Sequence, residues 1–313
     1  MTIEVLRAGQ LTTVQDLGRH RWQHDGVPEC GAMDSWAARL ANLLVGNAED
    51  AALLELTLTG PSLRFRRAAT IALGGADFGA LLDGAPLAPW HSARVSAGST
   101  LELGAASGGC RGYLALAGGI EVPLVLGSRS TCLAAAFGGH EGRALRAGDV
   151  LPVGPAPGET RRRALAASLH PEHRRVVRTL RGPDVDALDA ASREKLFGAR
   201  FTVSARSDRM GYRLEGAKLA LREPAEQLSS AVTMGTVQLP PGGDPIVLMA
   251  DHQTTGGYPV IAHVASVDLG SVAQLRPGDT LAFAEISLDE AQRQYLERER
   301  MLEALRQSLS LAR

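Results

Sequence analysis

Through most of the chain, short apolar runs stop at Gly, Pro, Asp or Ser. Leu63-Arg-Phe-Arg, Thr70-Ile-Ala-Leu, Gly79-Ala-Leu-Leu-Asp, Thr100-Leu-Glu-Leu and Tyr113-Leu-Ala-Leu-Ala are examples. Runs of this length between turn residues predict β-strands. Strands at this spacing with no helices between them predict barrels or sandwiches, not a doubly wound sheet.

Three stretches change to a helical period. Ser35 to Val45 carries an apolar stripe of Trp36, Leu40, Leu43 and Leu44, with Asp34 as N-cap and Gly46 as stop. A second helix is expected from Val185 to Phe197. The third runs from Leu288 to Leu309, where Leu288, Tyr295, Leu302 and Leu309 recur every seven residues beside Leu305. Such a stripe docks on a neighbouring surface, either the chain's own barrel or a partner protein.

Gly154-Pro-Ala-Pro-Gly-Glu-Thr-Arg-Arg-Arg divides the chain near its middle and reads as a linker. We expect an N-terminal β domain over 1–154, a linker region over 155–175, a second β domain over 176–287 and a C-terminal helix over 288–313. Phrases recur loosely across the divide. Leu145-Arg-Ala-Gly-Asp-Val-Leu is echoed by Leu275-Arg-Pro-Gly-Asp-Thr-Leu, and Ile71-Ala-Leu-Gly-Gly-Ala-Asp by Ile246-Val-Leu-Met-Ala-Asp. Two β domains of similar design follow.

Composition narrows the function. At 313 residues, two domains can each bury a core without disulfides or a structural metal. Net charge is -1 and aromatics are 4%, so neither a field nor a stacking surface for nucleic acid is expected. Cys30, Cys110 and Cys132 are odd in number and far apart, which predicts buried reduced thiols. Met1 to Arg7 lacks the pattern of a secretion signal, and no apolar run reaches the ~20 residues that span a bilayer. A cytoplasmic protein that does not enter membranes is expected. Walker, Rossmann, HExxH and GxSxG patterns are absent. His20 and His24 show no third ligand, and His170 and His173 lie in an Arg-rich, proline-containing stretch, so no metal site is expected.

Polar groups concentrate in four glycine-shaped segments. Thr12 to Arg19 contains Gln15 and Asp16, and Gly26 to Asp34 follows it. Gly127-Ser-Arg129-Ser130-Thr offers hydroxyls, backbone N–H groups and a guanidinium, a set that suits a carboxylate or phosphate. The alternative is a polar turn whose Arg129 pairs with a structural acid. Ser207-Asp-Arg209-Met-Gly is either an Arg209 clamp held by Asp208 or a neighbour, or a turn capped by Asp208. Asp251-His-Gln253-Thr254-Thr255-Gly256-Gly257-Tyr258-Pro follows a buried run and exceeds what a plain turn needs. His252 alternates out of phase with Asp251 and is the weaker candidate there.

Together these segments carry a resemblance. Thr13-Val-Gln-Asp-Leu-Gly-Arg19, Gly31-Ala-Met-Asp34, Leu40-Ala-Asn-Leu-Leu-Val-Gly-Asn47, Arg111-Gly-Tyr-Leu-Ala115, Gly127-Ser-Arg-Ser-Thr131, Ser207-Asp-Arg-Met-Gly-Tyr-Arg-Leu214 and Thr254-Thr-Gly-Gly-Tyr-Pro259 resemble the family of 5-oxoprolinase C subunits. That family is also labelled biotin-dependent carboxyltransferase or allophanate hydrolase subunit 2. The resemblance implies a mainly β fold with a few helices, as two tandem cyclophilin-like β-barrel domains. It implies partners, the 5-oxoprolinase B and A subunits, and opening of the lactam of 5-oxo-L-proline to L-glutamate. It implies ATP with Mg at the level of the complex, with no cofactor evident on this chain alone. For that chemistry Asp34, Asp251 and Arg209 are the catalytic candidates. Gln15, Asp16, Arg129, Ser130, Gln253, Thr254, Thr255, Gly256, Gly257 and Tyr258 are the substrate-binding candidates. The segments are expected to form a composite site, at the cleft between the barrels or against the B subunit. Two alternatives stay open. One is a carboxyltransferase partner in a biotin-dependent urea or amide carboxylase or allophanate hydrolase system. The other is a non-catalytic regulator of a kinase inhibitor that resembles the B subunit. No biotin-attachment Ala-Met-Lys-Met occurs, so a self-contained carboxylase is not expected.

Overall fold

The computed structural model describes residues 2–158, 162–223 and 227–311, without the side chains of 310 and 311. The chain is mostly β and forms two compact units. The first comprises residues up to His20 and Cys30–Glu172; the second comprises Arg21–Glu29 and residues from His173 onward.

The first unit contains β1 (Thr2–Arg7), β2 (Leu11–Gln15), α1 (Ser35–Leu44), β3 (Leu53–Thr57), β4 (Ser62–Phe65), β5 (Ala69–Asp77), β6 (Leu81–Leu82), β7 (Ala85–Pro86), β8 (Ser92–Val95), β9 (Thr100–Glu102), β10 (Ser107–Leu116) and β11 (Val150–Pro152). They form a six-stranded sheet, β11-β1-β4-β9-β6-β7, and a five-stranded sheet, β2-β3-β10-β5-β8. Both sheets contribute to one core: Ile3, Val5, Leu63 and Phe65 from the first, and Leu54, Leu56, Ile71 and Leu114 from the second. Alternation explains this, because β1 buries Ile3 and Val5 and turns Glu4 outward. Asp34 caps α1 by accepting from the Ala37 N–H at 3.1 Å, and α1 packs on β5 and β10.

The second unit contains β12 (Val176–Arg181), α2 (Ala190–Gly198), β13 (Arg200–Val203), β14 (Gly211–Gly216), β15 (Ser230–Ala231), β16 (Thr236–Gln238), β17 (Ile246–Leu248), β18 (Thr255–Gly256), β19 (Val260–Val264), α3 (Leu269–Ala273), β20 (Thr280–Glu285) and α4 (Leu288–Leu311). Seven strands close into a barrel in the order β12-β19-β16-β17-β14-β13-β20, and β15 with β18 makes a separate ribbon. Only β12 and β20 run parallel in the barrel; its other pairs are antiparallel.

Several elements differ from their sequence-based outlines. The helix expected from Val185 begins at Ala190 instead. Leu188 is extended and bridges to Leu221, and Asp189 supplies the cap by accepting from the Ser192 N–H at 2.6 Å. The segment read as a linker runs along the first unit. The Leu165 N–H donates to the Trp90 carbonyl, the Ser92 N–H donates to the Arg163 carbonyl, and Leu165 is buried. Residues 159–161 of that segment lie outside the described residues. On α4, Leu302 is buried, whereas Leu288 and Tyr295 are exposed. The seven-residue stripe therefore docks through part of its length, against the turn Ser266–Asp268.

The echoed phrases form the same turn in each unit. Asp149 Oδ2 accepts from the Arg146 N–H at 2.7 Å, and Asp279 Oδ2 accepts from the Arg276 N–H at 2.8 Å. Gly148 (φ 92°) and Gly278 (φ 87°) follow the same left-handed path. Each turn leads into its unit's last strand, β11 or β20.

Candidate functional site

In the first unit, a two-residue hairpin tip starts the polar loop. Leu126 (φ 52°) and Gly127 (φ 82°) turn the chain so that Val125 and Ser128 exchange backbone hydrogen bonds at 2.9 and 3.2 Å. The loop then wraps a carboxylate. Asp16 Oδ1 accepts from Ser128 Oγ at 2.7 Å, Ser130 Oγ at 2.5 Å and the Gly18 N–H at 2.8 Å. Asp16 Oδ2 accepts from the Arg129 N–H at 2.6 Å. The hydroxyls of Ser128 and Ser130 and the Arg129 N–H are thus spent on the chain's own Asp16. Arg129 donates from Nε to the Val122 carbonyl at 2.9 Å. Its two Nη groups have no protein partner among the described residues.

Gln15 and Arg19 lie beside this loop. Gln15 Nε2 donates to Thr13 Oγ1 at 3.1 Å and to the Thr131 carbonyl at 3.3 Å, and its buried Oε1 meets no donor among the described residues. Arg19 Nη2 donates to the Ser130 carbonyl at 2.5 Å, and its Cζ lies 4.7 Å from the Phe137 ring centroid.

A second buried network surrounds Asp34. The Asp34 N–H donates to Tyr113 Oη at 2.7 Å, and Tyr113 Oη donates to Glu55 Oε2 at 3.0 Å. Glu55 Oε2 also accepts from the Met33 N–H at 2.8 Å, and Arg111 Nε lies 3.9 Å from Glu55 Oε1. Burial, then the charges of Glu55 and Asp34, hold the Tyr113 phenol well above its usual pKa. Tyr113 is therefore a neutral donor at every ordinary pH. Asp34 was singled out from the sequence; Glu55, Tyr113 and Arg111 were not placed in the site. The signal for Glu55 was a lone carboxylate inside the apolar strand Leu53-Leu-Glu-Leu-Thr57.

In the second unit, Arg209 and Asp251 meet as a buried bidentate pair, with Nε to Oδ2 at 2.9 Å and Nη2 to Oδ1 at 2.8 Å. Both Asp251 oxygens are thus engaged by the guanidinium. Asp208 caps its own turn, with Oδ1 accepting from the Met210 N–H at 2.8 Å and the Gly211 N–H at 3.2 Å. His252 Nδ1 contacts the Gln253 carbonyl at 2.5 Å, and its buried Nε2 has no partner among the described residues. Strand β17 ends at Leu248, so two-residue alternation does not govern Asp251 and His252, and both are buried.

The remaining candidates form the rim. Gln253, Thr255, Gly257 and Tyr258 are exposed, while Thr254 and Gly256 are half-buried. Thr255–Gly256 pairs with Ser230–Ala231, and the Thr254 carbonyl accepts from the Val232 N–H. Gly256 packs against Gln238: a Cβ there would lie 2.4 Å from Gln238 Nε2, so the amide would have to move. The structure brings Gln15, Asp16, Arg129 and Ser130 together in one unit. It brings Arg209 and Asp251 together in the other. Among the described residues no group of three or more His, Cys, Asp or Glu is placed to hold a metal, and Cys30, Cys110 and Cys132 are buried and form no disulfide. Among those residues, no helix is long and apolar enough to cross a membrane.

Comparison with known proteins adds an independent line. Residues 25–285 match the family described as carboxyltransferase domain, subdomain A and B. The 5-oxoprolinase C subunit of Haemophilus influenzae is 42% identical over 289 residues, covering 92% of this chain and 93% of that one. Its Escherichia coli namesake is 42% identical over 305 residues, covering 97% of each. The crystal structure of the K. lactis urea amidolyase superposes with a TM-score of 0.92 at 33% identity, over 97% of this chain. This chain spans 20% of the urea amidolyase chain.

Proposed function

The chain belongs to the carboxyltransferase domain family, and on that footing we propose that it is the C-type component of an ATP-dependent 5-oxoprolinase, opening 5-oxo-L-proline to L-glutamate with the A and B subunits. The observation that carries this reading is coverage. The match to the 5-oxoprolinase C subunits runs nearly end to end in both proteins, whereas urea amidolyase matches over a fifth of its length.

A lactam resists water because attack at its carbonyl destroys amide resonance. ATP, when bound, supplies phosphoryl transfer that turns the amide oxygen into a leaving group. In this reading nucleotide and metal belong to the complex of the three subunits. What this chain contributes is positioning of the ring and its charges. The unpartnered Nη groups of Arg129 suit the substrate carboxylate, on a loop fixed by Asp16. Asp34, whose backbone N–H donates to the neutral Tyr113, is the candidate for moving the lactam proton. Arg209 and Asp251, engaged with each other, act as positioning residues for the rim of Gln253 to Tyr258.

A second reading rests on the family description and the urea amidolyase structure. In it, the chain transfers a carboxyl group from a separate biotinylated carrier to urea or a related amide. One experiment separates the two. The purified chain is mixed with the A and B subunits, 5-oxo-L-proline and ATP, and glutamate is measured. Glutamate formation that requires all three proteins supports the first reading. Activity that appears only with biotinylated carrier and bicarbonate supports the second. Association with a partner of the B type but no activity in either mixture returns the protein to a regulatory role.

A further inference from the structure

Eighteen residues of the first unit, 122–139, hold one charged side chain, Arg129, in a chain that is 21% charged. So uncharged a stretch normally lies in a core, yet much of this one faces solvent. Leu124 is 58% exposed and Leu126 38%, and Pro123 and Ala134 to Ala136 are exposed as well. The stretch forms two tight loops, closed by the Val125–Ser128 and Cys132–Phe137 bridges. Leu126 holds φ at 52° on the tip of the first, where asparagine, aspartate or glycine is the usual residue. A leucine there is unfavourable twice, by backbone conformation and by exposure, and a contact that covers it offsets the second cost.

Both loops line one cavity of about 390 Å³. Val122, Pro123 and Val125 come from the first loop, Ala136 and Phe137 from the second, and Pro152 completes the apolar wall. Pro123, Ala136 and Pro152 are exposed, so the cavity opens at the surface. The ionisable residues of its lining are engaged within the chain. Glu141 Oε2 accepts from Arg143 Nη2 at 2.6 Å, and His140 Nε2 lies 3.5 Å from Asp149 Oδ1. What the cavity offers an occupant is therefore apolar contact. A hydrocarbon of benzene's size fits a cavity of roughly 150 Å³, so a leucine side chain has room here.

Leu124 stands between Pro123 and Val125, two residues of the cavity wall, and is not part of that wall. Knob and hole therefore share one patch. A partner of another kind needs only one of the two. A two-fold contact between identical chains needs both, because each copy presents the surface that it receives. Charge agrees with this. A two-fold axis sets the side chains near it against their own copies, which an uncharged centre permits. At the rim, Glu121 and Glu141 are matched in number by Arg129 and Arg143.

We propose that these loops form a two-fold contact between two copies of this chain, with Leu124 and Leu126 of each copy against the apolar cavity of the other. The contact does not depend on which reaction the chain serves.

Sedimentation velocity of the full chain from about 1 to about 100 μM tests it. A dimer of twice the 33.0 kDa chain mass is expected for wild type. Leu126→Asp puts an aspartate before Gly127, the pairing that hairpin tips favour, so this variant should fold at least as stably as wild type. Its dimer dissociation constant should nevertheless rise about thirtyfold or more, and Leu124→Asp should have the same effect. Leu288→Asp, at an exposed position on α4, should leave the dimer intact. A wild-type monomer throughout the range overturns the proposal. So does a dimer indifferent to both loop variants, or one lost in Leu288→Asp. A monomer that instead binds a B-type subunit, and loses it in Leu124→Asp, also overturns it and gives the patch to that partner.

Discussion

Arg209 and Asp251 are 42 positions apart in the chain, yet their side chains lie fork to fork, and the Asp251 N–H returns to the Arg209 carbonyl at 2.8 Å. The pair ties the end of one polar segment to the start of another. Removing one partner strands the other as a buried charge. Asp251→Asn is expected to cost about 3–5 kcal/mol in urea unfolding, and Arg209→Met with Asp251→Leu to restore most of that. A single substitution that costs under about 1 kcal/mol would show that the pair is not what fixes the rim.

Tyr113 is the bridge between Asp34 and Glu55 in the first unit. Tyr113→Phe leaves the Asp34 N–H without this acceptor and Glu55 without this donor, at a cost of about 1–3 kcal/mol. With the partner proteins present, glutamate formation should fall at least roughly tenfold, because Asp34 loses its fixed position. Full activity in Tyr113→Phe would remove this network from the reaction.

Asp16 gathers four donors from two chain segments. Asp16→Ala should release the loop from Gly127 to Thr131 and with it Arg129. In the three-protein assay the expected result is a KM for 5-oxo-L-proline raised about tenfold or more, with kcat less affected. A fall in kcat alone would point to Asp16 acting on the reacting atoms.

Asp149 carries a pH dependence. Its carboxyl is held down to about 2, first by hydrogen bonds from Arg143, with the Arg146 N–H and His140 adding to them against the cost of burial. The unfolded chain titrates near the ordinary aspartate value of about 3.9. Between those values the unfolded state binds more protons. Stability from this group is therefore full above about pH 4 and lost as pH falls towards 2, on the order of 2 kcal/mol. Asp149→Asn should flatten the acid limb of stability in that window; an unchanged limb would assign the acid sensitivity elsewhere.

Local pattern revealed much of the fold. Asp34 before an apolar stripe marked α1, because capping and periodicity are both local. The start of α2 was misplaced because Leu188 is drawn into an extended bridge with Leu221, a partner no local pattern names. The site divides the same way. Asp16, Arg129 and Ser130 were visible as polar groups among glycines. Glu55 was hidden because its meaning depends on register: it sits opposite Tyr113 across β3 and β10. Arg19 was quoted in a motif without weight, because the sequence does not show that it is buried without an acid beside it. The Thr254 and Thr255 hydroxyls, which looked most chemical, stand on a partly exposed two-stranded ribbon.

The turn used once in each half gives one more consequence. Where the second copy has Pro277, the first has Ala147. The Ala147 N–H donates to no acceptor among the described residues, so a proline ring there would sacrifice no hydrogen bond. Ala147→Pro should narrow the disordered ensemble while leaving the folded contacts alone, raising stability by about 0.4–1 kcal/mol in urea unfolding. The second half thus prescribes a stabilising change for the first, through conformations that exist only before folding.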